Sequence, residues 1–89
     1  KPQSIGSFSD IKKAINLVKS AKKKVVLTSS LEGVIGRLCS MHLSSSNIIN
    51  EACGLVLEPI YNGENNILPT IDRGSVNIPN TSGLGYRKN

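Results

Sequence analysis

Two short apolar runs, each preceded by a helical pattern, constrain this sequence more than any other feature. Val25-Val26-Leu27 and residues 52–57 lack the polar alternation of a half-exposed strand. Such runs are typical of strands that are covered on both faces in a parallel sheet. We therefore predict two short buried strands, with Thr28-Ser29-Ser30 directly after the first of them.

Apolar residues at helical spacing precede and separate these two runs. Ser7 is predicted to cap a first helix over residues 8–22, with Asp10 at capping-box spacing. The apolar face of that helix is formed by Ile11, Ala14, Ile15 and Val18. A second helix is predicted from Leu31, Val34, Ile35 and Leu38. Strands that alternate with single helices imply right-handed crossovers and a parallel α/β sheet.

The predicted sheet is unfinished, because two or three parallel strands leave both edges open. The sequence has 89 residues and only 3% aromatic residues, so its core would rest on Ile, Leu and Val. It starts at Lys1 and its only methionine is Met41, so we expect a processed chain or a piece of a longer one. No run approaches the ~20 apolar residues of a membrane span, so no membrane partner is expected.

Positive charge is concentrated in the first third of the chain, and the formal net charge is +5. Six lysines fall within thirteen residues: Lys12, Lys13, Lys19, Lys22, Lys23 and Lys24. One interpretation is a small basic α/β module that binds anions or nucleic acid through this cluster. No aromatic residue interleaves with the lysines, so bases would have no stacking platform. A solvated helix face is therefore favoured, and nucleic acid is an unlikely partner.

Candidate functional residues follow the predicted strands, where parallel α/β folds gather their chemistry. Thr28, Ser29 and Ser30 would lie at the start of the second helix, whose free N–H groups can bind a carboxylate or phosphate. Alternatively, Ser30 only caps that helix. The ammonium of Lys1 could stabilise a developing enolate, or could simply be solvated. Glu32 suits an acid, a base or a metal ligand, or a first-turn residue that complements the helix dipole.

Other residue types support no separate site. Cys39 and Cys53 have neither Cys-x-x-Cys spacing nor a nearby histidine, which argues against zinc. His42, late on the second helix, is interpreted as structural. No Gly-x-Ser-x-Gly, Walker or dinucleotide-binding glycine pattern occurs.

Four motifs in register resemble the C-terminal part of the enolase superfamily, and most closely its o-succinylbenzoate synthases. The first is Lys1-Pro2 with Gly6-Ser7, which is similar to the end of the family's strand six. The second, within residues 25–36, is similar to its serine-rich S-S-x-E-S-x-x-G segment. Gly54-Leu55 and Gly83-Leu84-Gly85 resemble its strand eight and its C-terminal tail.

The resemblance implies a partial (β/α) barrel with a short β-containing tail. Residues 1–58 would be the last β/α units, and residues 59–89 a tail that packs toward a capping domain. The remainder of the barrel and the capping domain would then be partners.

The family dehydrates a cyclohexadiene carboxylate through a Mg²⁺-stabilised enediolate, in menaquinone and phylloquinone biosynthesis. The resemblance implies that Lys1 is catalytic, stabilising the enediolate, and that Thr28, Ser29 and Gly54, with Ser30 beside them, hold the carboxylate of the substrate. It also implies that the proton-abstracting base and the Mg²⁺ ligands are not in this chain, so the 89 residues would not act alone. A plastid stroma or a bacterial cytoplasm would suit this pathway.

Two further alternatives stay open beside the enzyme segment and the basic module. The chain could be a catalytically inactive remnant, or it could belong to a sister cycloisomerase or epimerase of the superfamily. The epimerase variant is less favoured, because epimerases usually carry acidic residues on strand eight and Cys53-Gly54-Leu55-Val56 has none.

Overall fold

The computed structural model describes most of the 89-residue chain in four stretches. These stretches are residues 1–46, 49–58, 60–63 and 67–86. Their regular elements are a 3₁₀ turn at Pro2–Ser4, helix α1 at Phe8–Ser20 and helix α2 at Val34–Ser44. In these stretches no helix is long and apolar enough to cross a membrane.

The predicted fold class, an α/β partial (β/α) barrel with a short β-containing tail, is wrong. Across the described stretches, the two predicted strands form no ladder and no sheet. The first and second apolar runs meet at a single parallel bridge between Thr28 and Gly54. In the tail, residues 75–78 alternate polar and apolar side chains, a pattern that predicts a half-exposed strand. They lie instead beside one antiparallel bridge between Asp72 and Ser75.

Side-chain hydrogen bonds explain why the parallel pairing stops after one bridge. At the bridge, Gly54 N–H donates to the Leu27 carbonyl (2.8 Å) and Ser29 N–H donates to the Gly54 carbonyl (3.1 Å). In a longer parallel ladder, Val56 N–H would next donate to the Ser29 carbonyl. Instead, it donates to the Ser29 hydroxyl (2.8 Å).

The other end of the pairing is closed in the same way. A continuing ladder would direct Leu27 N–H to the backbone of the second run. That N–H donates instead to the Sγ of Cys53, at 3.4 Å. Each neighbouring ladder position therefore bonds to a side chain. Two short segments without further partners form a marginal sheet at best.

Helix α1 begins where the sequence predicts. Ser7 is the N-cap and its hydroxyl accepts the N–H of Asp10 at 3.2 Å. The same hydroxyl donates to the Asp10 carboxylate at 3.0 Å. Ile11 and Ile15 are buried, as their spacing predicts, whereas Val18 of the same predicted face remains 38% exposed.

The C-terminus of α1 is a Schellman motif with a lysine where glycine is usual. Helix α1 ends at Ser20, two residues before the predicted end. Lys22 has φ +60°, its N–H donates to the Lys19 carbonyl (2.9 Å), and Lys23 N–H donates to the Val18 carbonyl (3.2 Å). These two bonds define the motif, whose left-handed position favours glycine.

Helix α2 is the more buried helix, and it begins later than the serines that were predicted to cap it. Its N-cap is Gly33, which makes no side-chain capping bond. The interpretation of Ser30 as the cap is therefore wrong, and Glu32 precedes the helix instead of lying in its first turn. The buried residues of α2 are Val34, Arg37, Leu38, Ser40, Met41 and Leu43.

Two apolar clusters hold the chain together. The first contains Ile11, Ile15, Leu27, Leu43 and Ile49. The second contains Val34, Leu38, Met41 and Leu57, with Ile67, Leu68, Val76, Ile78 and Leu84 packed against it. The described part of the predicted tail segment, residues 59–89, thus packs against α2 of this same chain.

Replacing Lys22 with glycine is expected to stabilise the fold. A left-handed backbone costs an L-residue about 1–2 kcal/mol, and glycine avoids most of this cost, so we expect the free energy of unfolding to rise by about 1 kcal/mol. Chemical denaturation of Lys22→Gly and of the wild-type chain measures the difference. Lys23→Gly is the matched control, because it removes the same charge one residue later. Equal stability of the two variants would contradict the assignment of the motif.

Candidate functional site

The structure brings together the five residues that the resemblance assigns to the site. The ammonium of Lys1 donates to the backbone carbonyl of Ser29 at 2.5 Å. Ser29 is buried, and its neighbour Thr28 forms the parallel bridge with Gly54. Ser30 follows directly in the chain and is half-buried. Lys1, residues 28–30 and Gly54, which are far apart along the chain, thus meet at one point. We call this group of five residues the Ser29 junction.

The N-terminal segment places the Lys1 side chain. Pro2 is buried and starts the 3₁₀ turn, which is closed by a bond from Ser4 N–H to the Lys1 carbonyl at 3.0 Å. Lys1 also lines an apolar cleft of about 140 Å³ between α1 and residues 25–27, with Ile5 and Val18 among the other walls. The lysine therefore presents its ammonium at the edge of an apolar space.

The backbone amides of the junction are already occupied by the protein itself. Ser29 N–H and Gly54 N–H take part in the bridge, and Ser30 N–H donates to the Glu32 carboxylate at 2.6 Å. The prediction that free amides at a helix start would receive a carboxylate is therefore wrong for these three groups. The first turn of α2 begins four residues after Ser30.

Hydroxyl and ammonium protons are the donors that remain. In the described part of the chain, the hydroxyls of Thr28 and Ser30 bond to no protein group. The Ser29 hydroxyl accepts from Val56 N–H and keeps its own proton for donation. An ammonium has three protons, so Lys1 retains two beyond its bond to Ser29. The junction can still bind an anion, through hydroxyls and a cation rather than through amides.

Gly54 contributes space rather than a donor. A β-carbon at this position would lie 3.4 Å from Cγ2 of Thr28, in close contact with it. Gly54 is exposed, so its missing side chain leaves the Thr28 side of the junction open to solvent.

Glu32 is a member of the site that sequence reasoning placed wrongly. Its side chain is 9% exposed, Oε2 accepts the Ser30 N–H, and Oε1 is buried without a hydrogen-bond partner in the described stretches. The available signal was a carboxylate two residues after Ser30. The sequence pattern predicts Glu32 in the first turn of the second helix, whereas that helix begins at Val34.

Arg37 was missed entirely. It is 1% exposed on α2, and its guanidinium donates to the carbonyl of Glu58 at 2.9 Å. It fixes the end of the second apolar run against the helix. Its helical spacing from Val34 and Met41, which are both buried, was the available signal.

The remaining polar candidates have structural contacts. His42 Nε2 lies 3.0 Å from the carbonyl oxygen of Leu84 and links α2 to the tail. Both cysteines are free thiols. Burial raises the pKa of the Cys39 thiol above its usual value, which disfavours the reactive thiolate.

The described residues do not fit a magnesium site. Within the four described stretches, no three His, Cys, Asp or Glu side chains lie together as a metal-binding group. The carboxylate at the junction, Glu32, uses one oxygen for the Ser30 amide. The Mg²⁺ that the resemblance implies therefore has no place on these residues, and no reaction step is derived through it.

The lysine cluster lies on the surface, and part of it faces an acidic residue. Lys12, Lys13, Lys19 and Lys22 to Lys24 are all exposed. Lys19, Lys23 and Lys24 line a small cleft of about 60 Å³ together with Asn50 and Glu51.

No protein-family model matches the chain, and neither does any curated protein or solved structure. The resemblance to the enolase superfamily therefore stays a prediction that rests on the sequence motifs alone.

Removing the Ser29 hydroxyl is expected to weaken the junction. Ser29→Ala leaves Val56 N–H without its acceptor, so we expect a loss of about 1 kcal/mol in the free energy of unfolding. Faster hydrogen exchange at the Val56 amide would show where the loss arises. Ser30→Ala is the control, because it removes a hydroxyl that bonds to no described group, and we expect a change below about 0.5 kcal/mol. An unchanged Val56 exchange rate in Ser29→Ala would contradict the assigned bond.

Proposed function

We propose that the chain supplies part of the catalytic site of an o-succinylbenzoate synthase-like dehydration. In this proposal Lys1 stabilises the enediolate, and Thr28, Ser29, Ser30 and Gly54 form the site of the substrate's other carboxylate. The substrate is a small carboxylic acid of menaquinone or phylloquinone biosynthesis, which would fit a plastid stroma or a bacterial cytoplasm. The proton-abstracting base and any metal ligands would have to come from outside the described residues.

The observation that carries the proposal is the bond from the Lys1 ammonium to the Ser29 carbonyl. It joins a cation to residues 28–30, a segment that carries three neighbouring hydroxyls. The sequence motifs assign both segments to one reaction, and the bond brings them within one hydrogen-bond length of each other.

Lys1 would act as a fixed cation rather than as a base. One of its protons is held by the Ser29 carbonyl, so the other two keep a set direction. Directed donors stabilise an oxyanion that develops during the reaction, without having to reorganise when the charge forms.

The hydroxyls would bind the second carboxylate. The hydroxyls of Thr28 and Ser30 donate to no group in the described part of the chain, and Gly54 leaves the approach to Thr28 open. A carboxylate that accepts two hydroxyl protons near the Lys1 ammonium would gain charge-assisted bonds, which are roughly twice as strong as neutral ones.

Succinate, which reproduces the four-carbon chain and the terminal carboxylate of the succinyl arm of the proposed product, is the probe that tests this function. In a ¹⁵N NMR titration of the 89-residue chain, we expect the largest shifts at residues 28–30 and at Gly54. Lys1→Met should weaken binding about tenfold, because losing a hydrogen bond to a charged group costs about 1.5 kcal/mol or more. Lys12→Met removes the same charge from the exposed face of α1 and should change the affinity less than twofold.

Two results would contradict the proposal. Shifts confined to Lys22, Lys23 and Lys24 would favour the basic anion-binding module instead. Equal weakening by Lys1→Met and Lys12→Met would mean that net charge, and not the junction, attracts the anion.

A further inference from the structure

We propose that Glu32 is a positioning residue that sets the direction of the Ser29 carbonyl and, through it, of the Lys1 ammonium. The catalytic meaning of this role rests on the proposed function. The structural link itself belongs to the ligand-free chain and is measured there.

The link follows from the planarity of one peptide group. The Ser29 carbonyl and the Ser30 N–H belong to the same peptide unit, and in a trans peptide they point in opposite directions. The Glu32 carboxylate holds the N–H at 2.6 Å, and the Lys1 ammonium holds the carbonyl at 2.5 Å. Any rotation of this peptide that moved the carbonyl away from Lys1 would also break the bond to Glu32.

Charge strengthens the link. A carboxylate that accepts an amide proton draws electron density toward the carbonyl of the same peptide, because bonds in such chains polarise one another. The Ser29 carbonyl thereby becomes a better acceptor for the ammonium. The Glu32 carboxylate, the peptide between Ser29 and Ser30, and the Lys1 ammonium thus form a series of hydrogen bonds with an anion at one end and a cation at the other. Both charged groups favour the same orientation of this peptide.

The backbone of α2 makes room for this carboxylate. A β-carbon at Gly36 would lie 2.8 Å from Cβ of Glu32, 2.9 Å from its Cγ and 2.5 Å from Nε2 of Gln3. Real β-carbons do not approach so closely. The glycine in the first turn of α2 thus lets the Glu32 side chain lie across the helix start and reach the Ser30 amide.

The burial of Glu32 argues for a role beyond stabilising the fold. Only 9% of Glu32 is exposed to solvent, yet its Oε1 has no hydrogen-bond partner in the described stretches. Burying a carboxylate with an unpaired oxygen is unfavourable. What this buried position provides is an acceptor for the Ser30 N–H.

Two conservative variants separate the effect of side-chain length at position 32 from the effect of its charge. Glu32→Gln keeps the length and an acceptor for Ser30 N–H, whereas Glu32→Asp keeps the charge and is one methylene too short. We expect Gln to preserve the downfield Ser30 amide shift and to keep succinate affinity within about threefold. We expect Asp to lose that shift, to move the Lys1 ¹⁵Nζ signal and to weaken succinate binding about tenfold, the effect of about one charged hydrogen bond. Glu58→Gln, at an exposed side chain, controls for lost charge.

The Lys1 signal is the decisive readout, since a purely structural glutamate would not move it. Unchanged Ser30 and Lys1 signals in a folded Glu32→Asp chain would overturn the proposal. If the Asp variant does not fold, the wild-type chain decides: scalar couplings from Ser30 N to the Glu32 carboxylate carbon and from Lys1 Nζ to the Ser29 carbonyl carbon support the link, and the absence of either overturns it. Failure of the wild-type chain to bind succinate would count against the proposed function only, because the ligand-free signals still test Glu32.

Discussion

The arrangement of this chain depends on which hydrogen-bond donor each of the two oxygen atoms of Ser29 accepts. Its carbonyl accepts the Lys1 ammonium and its hydroxyl accepts the Val56 amide. In a continuing ladder the carbonyl would accept that amide itself. By substituting a hydroxyl for the carbonyl, the serine ends the sheet and frees the carbonyl for a cation. The end of the pairing at Ser29 and the cation site thus have one physical cause.

The same exchange decides which groups can meet a ligand. The amides of Ser29, Ser30 and Gly54 all bond within the protein, so an external anion would encounter hydroxyls and the Lys1 ammonium. Glu32 already occupies the position at Ser30 where a bound carboxylate was expected. The junction therefore carries its own anion on one side of a peptide and its own cation on the other, and a substrate would add to this pair.

Helix α1 could be predicted from the sequence, because its cap and its apolar face are local patterns, whereas α2 begins at Val34, after the serines that were predicted to cap it. Ser7 caps α1 as its spacing with Asp10 indicates, and Thr28 does pair with Gly54 in parallel. The sheet could not be predicted correctly, because an apolar run does not show which groups take its backbone bonds, and here Val26 and Val56 are exposed instead of covered on both faces. Buried Glu32 and Arg37 were missed for a related reason: charged residues are usually exposed, and their burial depends on carbonyls and amides distant in sequence.

Scalar couplings across hydrogen bonds test the central claim most directly, because they identify the acceptor of each backbone amide. The account predicts couplings from Gly54 N to the Leu27 carbonyl carbon and from Ser29 N to the Gly54 carbonyl carbon. It predicts none from Val56 N to the Ser29 carbonyl carbon, since the hydroxyl is the acceptor. A clear coupling between Val56 N and the Ser29 carbonyl carbon would mean that the ladder continues and that the Ser29 hydroxyl does not end it, which would contradict the account.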